Sequence, residues 1–151
     1  MRLRPTIIAA LAAAALAAVP MGAAASRTIV LTNDDGLTSN VVALYRALKA
    51  AGHDVIVSVP CTNQSGMGAA LRIGGPLGPL AADCLNGAAR AGEPGAGAMT
   101  RADLPQGDFF YVDGTPVMAM LFALDVAGKA RWGAAPDLVL SGPNELSLIH
   151  I

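Results

Sequence analysis

Apolar residues come in short runs between polar turns along most of the chain, and their spacing predicts the secondary structure. Short runs rich in β-branched and apolar residues favour buried strands. Four such runs occur, at residues 27–32, 54–59, 108–112 and 137–140. Apolar residues at helical spacing predict helices over about 39–51 and 117–127, the first of them capped by Thr38 or Ser39.

The order of these elements indicates the fold class. A strand, a helix and a second strand follow one another over residues 27–59, and such a unit places its strands parallel with a right-handed crossover. Alternating strands and helices predict an α/β fold with a mostly parallel sheet. Residues 74–107 are rich in glycine, proline and alanine without a clear period, which predicts a long irregular excursion with room for a short hairpin.

The first 25 residues have the pattern of a secretory signal peptide. Arg2 and Arg4 form a positive start, residues 7–19 are an unbroken apolar run, and 23–25 are three alanines. The run is shorter than the roughly 20 residues that a membrane-spanning helix needs, so no membrane anchor is expected after cleavage. We therefore expect an exported protein, periplasmic or secreted, whose folded domain covers residues 26–145.

Composition narrows the classes of function. With 54% hydrophobic and 14% charged residues, the sequence is too apolar for a disordered chain. The formal net charge is −1, no basic run occurs and aromatic residues make up only 4%, which argues against a surface for nucleic-acid polymers. Cys61 and Cys84 are an even pair in a chain expected to reach an oxidising compartment, so a disulfide is a candidate and two free thiols are the alternative.

Three polar clusters each follow a predicted strand. They are 33–36 (Asn-Asp-Asp-Gly), 63–66 (Asn-Gln-Ser-Gly) and 141–144 (Ser-Gly-Pro-Asn). Because ligands of open α/β sheets bind at the carboxyl ends of the strands, side chains of these clusters could meet there. Their carboxylate, hydroxyl and amide oxygens suit hard cations such as Mg²⁺ or Mn²⁺. Each cluster alone is more often an ordinary turn, so the metal-site prediction depends on all three.

Five motifs in order resemble the SurE family of 5′/3′-nucleotidases. They are 31–36 (Leu-Thr-Asn-Asp-Asp-Gly), 52–55 (Gly-His-Asp-Val), Ser65-Gly66 after a Val-x-Pro strand end, 114–116 (Gly-Thr-Pro) and 136–144 (Pro-Asp-Leu-Val-Leu-Ser-Gly-x-Asn). The resemblance runs from about residue 27 to 145 and corresponds to the first half of a typical family member.

The resemblance implies a Rossmann-like three-layer fold with a mostly parallel sheet that is incomplete at the C-terminus. It implies a metal-dependent phosphomonoesterase, a 5′-nucleotidase or acid-phosphatase-like hydrolase, that converts nucleoside 5′/3′-monophosphates to nucleoside and phosphate. The implied ligands of one divalent ion, Mg²⁺ or Mn²⁺, are Asp34, Asp35, Ser65 and Asn144. Asp34 or Asp35 would also orient or deprotonate the attacking water. Gly66 falls in the implied phosphate-binding loop, and the complete protein is expected to form homo-oligomers.

Several features depart from the family pattern. Val117-Met118 stands where the family often has an Asp-Cys pair, and the 74–107 excursion has no clear counterpart. The family pattern stops after Glu145, and residues 146–151 are expected to be a non-native tail of translated adaptor sequence. A sheet that ended here would keep an unpaired apolar edge, so the 151-residue chain by itself is expected to be poorly soluble and nearly inactive.

Other functions compete with this interpretation. A haloacid-dehalogenase-type phosphatase needs Asp-x-Asp after a strand, but the corresponding positions hold Asn33-x-Asp35 and Tyr111-x-Asp113. An exported, non-catalytic nucleotide- or sugar-binding α/β domain stays open, although such a domain needs no paired carboxylates. A dinucleotide-binding domain is disfavoured because no Gly-x-Gly-x-x-Gly follows the first strand.

The signal-peptide interpretation predicts the mature N-terminus. Expressed in a bacterium, the protein should be recovered outside the cytoplasm with a chain that begins near Ser26, because three small residues precede that position. N-terminal sequencing of the exported material measures this directly. Exported protein that still begins at Met1 would contradict the prediction.

Overall fold

The computed structural model describes residues 25–145, which form one sheet with helices on both sides. The strands are β1 (Thr28–Thr32), β2 (Asp54–Pro60), β3 (Ala96–Ala98), β4 (Phe109–Val112) and β5 (Leu138–Ser141). Their order in the sheet is β3-β4-β2-β1-β5, and only the β3–β4 pair is antiparallel among the pairs of these strands. The predicted α/β fold with a mostly parallel sheet is confirmed.

The helices form three regions of different length. The long helix α1 covers Ser39–Ala50, and a 3₁₀ turn covers Leu85–Gly87 in the excursion. Further along, α2 (Pro116–Phe122) continues through a π-helical segment (Ala123–Gly128) into α3 (Lys129–Trp132). Among residues 25–145 no helix is long and apolar enough to cross a membrane. The predicted signal peptide, residues 1–25, lies almost wholly outside the described residues, and the predicted tail, residues 146–151, lies entirely outside them.

Alternate residues of the central strands face two separate hydrophobic cores, as a period of two requires. Ile29 and Leu31 of β1 belong to a core that also contains Val41 and Tyr45 of α1. Val30 of β1, between them, packs with β2 and the π-helical segment in the second core. Helices therefore cover both faces of the sheet, and the three-layer prediction is confirmed.

Local signals explain the bounds of α1. The Thr38 side chain accepts a hydrogen bond from the main-chain N–H of Val41 at 3.2 Å, so Thr38 is the cap that the sequence left open between two residues. After Ala51, Gly52 adopts a φ of +88°, a conformation that ends helices and favours glycine. The prediction of a helix over about 39–51 is confirmed to within one residue.

The second helical region is longer than predicted. It continues to Trp132 and ends where Gly133 adopts a left-handed conformation, so the predicted end at residue 127 was wrong. A Cβ on Gly128 would lie 2.7 Å from the main-chain oxygen of Ala123, across the wide π turn. Glycine is needed at this crowded position, yet glycine within a helix weakens the helical signal in the sequence. The helical signal in the sequence therefore ended at residue 127, just before Gly128, and the continuation to Trp132 was missed.

The two ends of the sheet also differ from the prediction. The strand predicted at 137–140 is present as β5, but Leu138 and Val139 are 40% and 39% exposed, so its predicted burial was wrong. Among the described residues β5 pairs only with β1, and this end position leaves its apolar side chains partly uncovered. At the other end, β3 is part of the 74–107 excursion and pairs with β4, which provides the short hairpin for which the sequence had room.

A charged cluster joins the helices to the amino ends of β2 and β4. The Arg131 guanidinium donates hydrogen bonds to the carboxylates of Asp54 and Asp108. The Tyr45 hydroxyl donates to Asp108, and the Trp132 indole N–H donates to Asp54 at 2.7 Å. The cluster therefore connects α1 and α3, on opposite faces, at the edge of the sheet remote from the carboxyl ends of the parallel strands.

The environment of Asp108 shifts its titration. Burial raises the pKa of Asp108, but hydrogen bonds from Arg131 and Tyr45 favour the charged form and hold the pKa below its ordinary value. Burial and the hydrogen bond to Asp108 raise the pKa of Tyr45. Asp108 therefore stabilises the folded state as a carboxylate.

We expect Asp108→Asn to lower the free energy of unfolding at pH 7 by about 2–3 kcal/mol, because it weakens hydrogen bonds to a charged, buried group. Asp103→Asn is the matched control, since Asp103 forms an exposed pair with Arg101 and should matter little. Urea denaturation measures both. The pKa of Asp108 is lower in the folded than in the unfolded protein, so its contribution is present above about pH 4 and is lost as pH falls through the folded pKa.

The difference between wild type and Asp108→Asn should accordingly shrink at pH 3. Equal urea midpoints for the two proteins at pH 7 would contradict a stabilising role of the charged cluster.

Candidate metal centre

The two adjacent carboxylates lie in the turn between β1 and α1. Asp34 and Asp35 follow the last strand residue, Thr32, and precede Gly36, whose φ is +84°. A Cβ on Gly36 would lie 3.1 Å from the main-chain oxygen of Pro60, so the close approach of the β2 end also favours glycine. Because this turn departs from the strand alternation, neighbouring carboxylates can serve one site.

The carboxylate of Asp35 is the point at which three loops meet. Asp35 is only 3% exposed. Its Oδ1 accepts hydrogen bonds from the Ser65 hydroxyl at 3.0 Å and from the Asn63 amide at 2.9 Å. Its Oδ2 accepts from the main-chain N–H of Glu145 at 2.6 Å. The loops that follow β1, β2 and β5 thus converge at the carboxyl edge, as the sequence predicted for the three polar clusters.

The amide of Asn144 lies against both carboxylates and has two possible orientations. In one, its oxygen faces only acceptors. In the other, its nitrogen donates to Asp35 Oδ2 at 2.7 Å and to Asp34 Oδ1 at 3.1 Å. The first orientation is favourable when a cation lies among the side-chain oxygens of Asn144, Asp34 and Asp35. The second orientation is favourable when no cation is bound. Asn144 is thus within reach of both carboxylates in either state.

A cavity of about 370 Å³ opens beside these residues. Asp34 and Asn144 line it, together with Gly68, Pro116 and residues 141–143. Gly68 therefore borders the cavity, whereas Gly66 is exposed beside Ser65 with a φ of +85°. The role of Gly66 in phosphate binding stays a prediction.

Two contributors to the site were not among the predicted ligands. The Asn63 side chain donates to Asp35, and its oxygen accepts from the main-chain N–H of Ser65 at 2.8 Å. An Asn two residues before a Ser in a turn is a recognisable sequence signal for this arrangement. Glu145 contributes through its main-chain N–H, a group that every residue except proline has, so the sequence carries no signal for this contact.

The 74–107 excursion supports the site from behind. Cys61 and Cys84 are joined by a disulfide, and the main-chain N–H of Leu85 donates to the oxygen of Cys61 at 2.8 Å. The Asn86 amide donates to the main-chain oxygen of Leu37 at 2.6 Å, next to the Asp34-Asp35-Gly36 turn. Closing a loop between two cysteines that are 23 positions apart in the sequence corresponds to about 3 kcal/mol in the chain-entropy model.

The donor set fits a hard divalent cation. It consists of the carboxylates of Asp34 and Asp35, the hydroxyl of Ser65 and the amide oxygen of Asn144, all oxygen ligands of the kind that Mg²⁺ and Mn²⁺ prefer. Across residues 25–145 no group of three or more His, Cys, Asp or Glu side chains could hold a metal ion. The centre therefore depends on its two neutral donors as well as on its two charges.

Fold and centre together define an α/β protein with an oxygen-donor site at the carboxyl edge of a parallel sheet. The family model described as Survival protein SurE matches residues 29–147. The chain therefore belongs to the SurE family, and the resemblance found in its sequence motifs is confirmed.

The relatives carry names of phosphatases. An acid phosphatase of Yarrowia lipolytica is 39% identical over 121 residues, which are 78% of this chain and 32% of that protein. A 5′-nucleotidase SurE of Solidesulfovibrio magneticus is 34% identical over 117 residues, covering 77% of this chain and 36% of the relative. The chain thus spans about a third of the length of these curated relatives, less than the half that the motifs suggested.

Proposed function

We propose that the complete protein is a divalent-metal-dependent phosphomonoesterase that hydrolyses nucleoside 5′/3′-monophosphates to nucleoside and phosphate. The observation that carries this proposal is the convergence of Asp34, Asp35, Ser65 and Asn144 at one edge of the sheet. Membership of the SurE family and the names of the relatives, acid phosphatase and 5′-nucleotidase, support the same reaction class.

The four side chains would hold one ion, Mg²⁺ or Mn²⁺. Such an ion would supply positive charge to the phosphoryl oxygens and would lower the pKa of a bound water. The protein's own contribution is to fix the donors before substrate arrives: Asp35 is held by hydrogen bonds from two other loops, and Ser65 is held by Asn63.

The two carboxylates are suited to different tasks. Both oxygens of Asp35 already accept hydrogen bonds from Ser65, Asn63 or Glu145, so Asp35 serves as a fixed ligand. Asp34 is half-buried and lines the 370 Å³ cavity. Asp34 is therefore the carboxylate that can orient the attacking water and take its proton.

The cavity is the place for the phosphate in this proposal. Main-chain N–H groups of the loop at Gly66 and Gly68 would contact phosphate oxygens, since glycine allows a close approach. No atom lies within 4 Å of a Cβ built on either glycine within the described structure, so the loop surface is accessible at both positions.

Export and assembly are further parts of the proposal. The signal-peptide pattern of residues 1–25 and the Cys61–Cys84 disulfide both agree with an oxidising compartment outside the cytoplasm. We also propose that the complete protein forms a homo-oligomer, for which the resemblance to SurE proteins is the support.

Phosphate release from a nucleoside 5′-monophosphate, measured with the full gene product in Mg²⁺ or Mn²⁺, tests the proposed reaction. Asp35→Asn should lower kcat/KM by more than about 100-fold, because an ion contributes several kcal/mol to the transition state and the variant removes half of its ligand charge. Ser65→Ala should lower it by about five- to tenfold, the effect of one neutral donor. Asp125→Asn, an exposed acid outside the centre, is the matched control and should not change it.

Full activity of Asp35→Asn would rule out this centre. A wild-type protein that binds the nucleotide but releases no phosphate with any divalent ion would instead favour the non-catalytic binding domain.

A further inference from the structure

The residue before the two carboxylates has an unexplained side chain. Asn33 is only 1% exposed, and within residues 25–145 neither its Nδ2 nor its Oδ1 has a hydrogen-bond partner. A third unpartnered atom is the hydroxyl oxygen of Thr32, and these three are all such buried side-chain atoms in the described part of the chain. Unsatisfied polar groups thus concentrate at the two positions directly before Asp34.

A buried amide without partners is unfavourable, and packing does not require one here. Residues 29–31 of β1, which come before Thr32, are apolar and fully buried. An apolar side chain of similar size would remove the desolvation penalty of both amide atoms. We therefore expect a state of the protein in which the side-chain amide of Asn33 is hydrogen-bonded.

Binding of an ion would create a need for a donor at Asp34. To serve as a ligand, Asn144 must turn its oxygen toward the carboxylates, and its nitrogen then no longer donates to Asp34 or Asp35. Asp35 keeps its other donors. Asp34 has no other side-chain hydrogen bond among the described residues, and ligating carboxylates are normally held by a second group.

We propose that Asn33 is a positioning residue of the metal centre: its amide donates to the carboxylate of Asp34 when a divalent ion is bound, and so holds Asp34 as a ligand. The proposal rests on the metal-dependent function proposed above. It assigns a task to the one buried amide that the hydrogen bonds of the described chain leave unused.

Asn33→Leu and Thr32→Val separate this role from packing. Each variant replaces an unpartnered polar side chain by an apolar one of similar size, and the two positions are adjacent. Thr32 is the last residue of β1 and pairs with Ser141, whereas Asn33 lies just beyond the strand, next to Asp34. The readouts are the apo Tm in the presence of a chelator and the Kd for Mn²⁺, both measured on the full gene product.

For Asn33→Leu we expect an apo Tm equal to or above that of the wild type and a Kd for Mn²⁺ that is weaker by about 10- to 100-fold. For Thr32→Val we expect an equal or higher apo Tm and a Kd within about twofold of the wild type, since its hydroxyl has no task at Asp34. A merely structural role of Asn33 would lower the apo Tm and would not single out the metal affinity.

An unchanged Kd in Asn33→Leu, or a lower apo Tm, would overturn the proposal. A wild-type protein that binds no Mn²⁺ would overturn the proposed function as well, which distinguishes the two failures.

Nuclear magnetic resonance of the wild type provides a measurement that needs no variant. The side-chain amide resonances of Asn33 should move on addition of Mg²⁺, whereas those of Asn86, already bonded to Leu37, should move much less. Static Asn33 resonances would also count against the role.

Discussion

A carboxylate that is removed from water must be hydrogen-bonded, and the carboxylate of Asp35 meets this requirement with donors from two other loops. Ser65 and Asn63 come from the loop after β2, and the N–H of Glu145 comes from the loop after β5. The geometry of the candidate centre follows from this constraint. A loop that moved away would leave a buried charge with fewer partners, so the same bonds that satisfy Asp35 also bring Ser65 and Asn144 to the site.

The sheet makes this convergence possible, and its two edges have different tasks. At the carboxyl edge, β1, β2 and β5 end side by side and deliver oxygen donors to one point. At the amino edge, Arg131 binds Asp54 and Asp108 and fastens α3 and α1 to the strand starts. Charge at one edge thus stabilises the fold, while charge at the other is available for chemistry. The disulfide-linked excursion packs against the loops at the carboxyl edge.

The sequence was sufficient for elements whose signals are local. The first strand-helix-strand unit follows from apolar spacing, a cap at Thr38 or Ser39 and the stop at Gly52, and the carboxyl-edge rule then predicted that the polar clusters lie together. Features that depend on contacts made only in the folded protein could not be predicted from the sequence. Gly128 weakens the helical signal in the sequence, and the reason for a glycine there, the close main-chain oxygen of Ala123, is visible only in the structure. The exposure of β5 depends on its position at the end of the sheet.

Side-chain partners across the chain were equally out of reach. Asp54 and Arg131 are 77 residues apart, and neither carries a local signal for the other. The same holds for Asp35 and Glu145, whose contact uses a main-chain N–H 110 residues away. The unused amide of Asn33 is visible only once burial is known. Sequence patterns therefore predicted the candidate ligands of the centre, whereas the groups that hold those residues became apparent only in three dimensions.

We propose that Asp34, Asp35, Ser65 and Asn144 form one divalent-metal centre, and the decisive experiment is a crystal structure of the complete protein grown with Mn²⁺. We expect an anomalous scattering peak within about 2.5 Å of oxygens from both Asp34 and Asp35, with the amide oxygen of Asn144 turned toward it. An ion bound elsewhere, or a centre in which Asn144 still donates its N–H to the two carboxylates at saturating Mn²⁺, would rule out this metal centre.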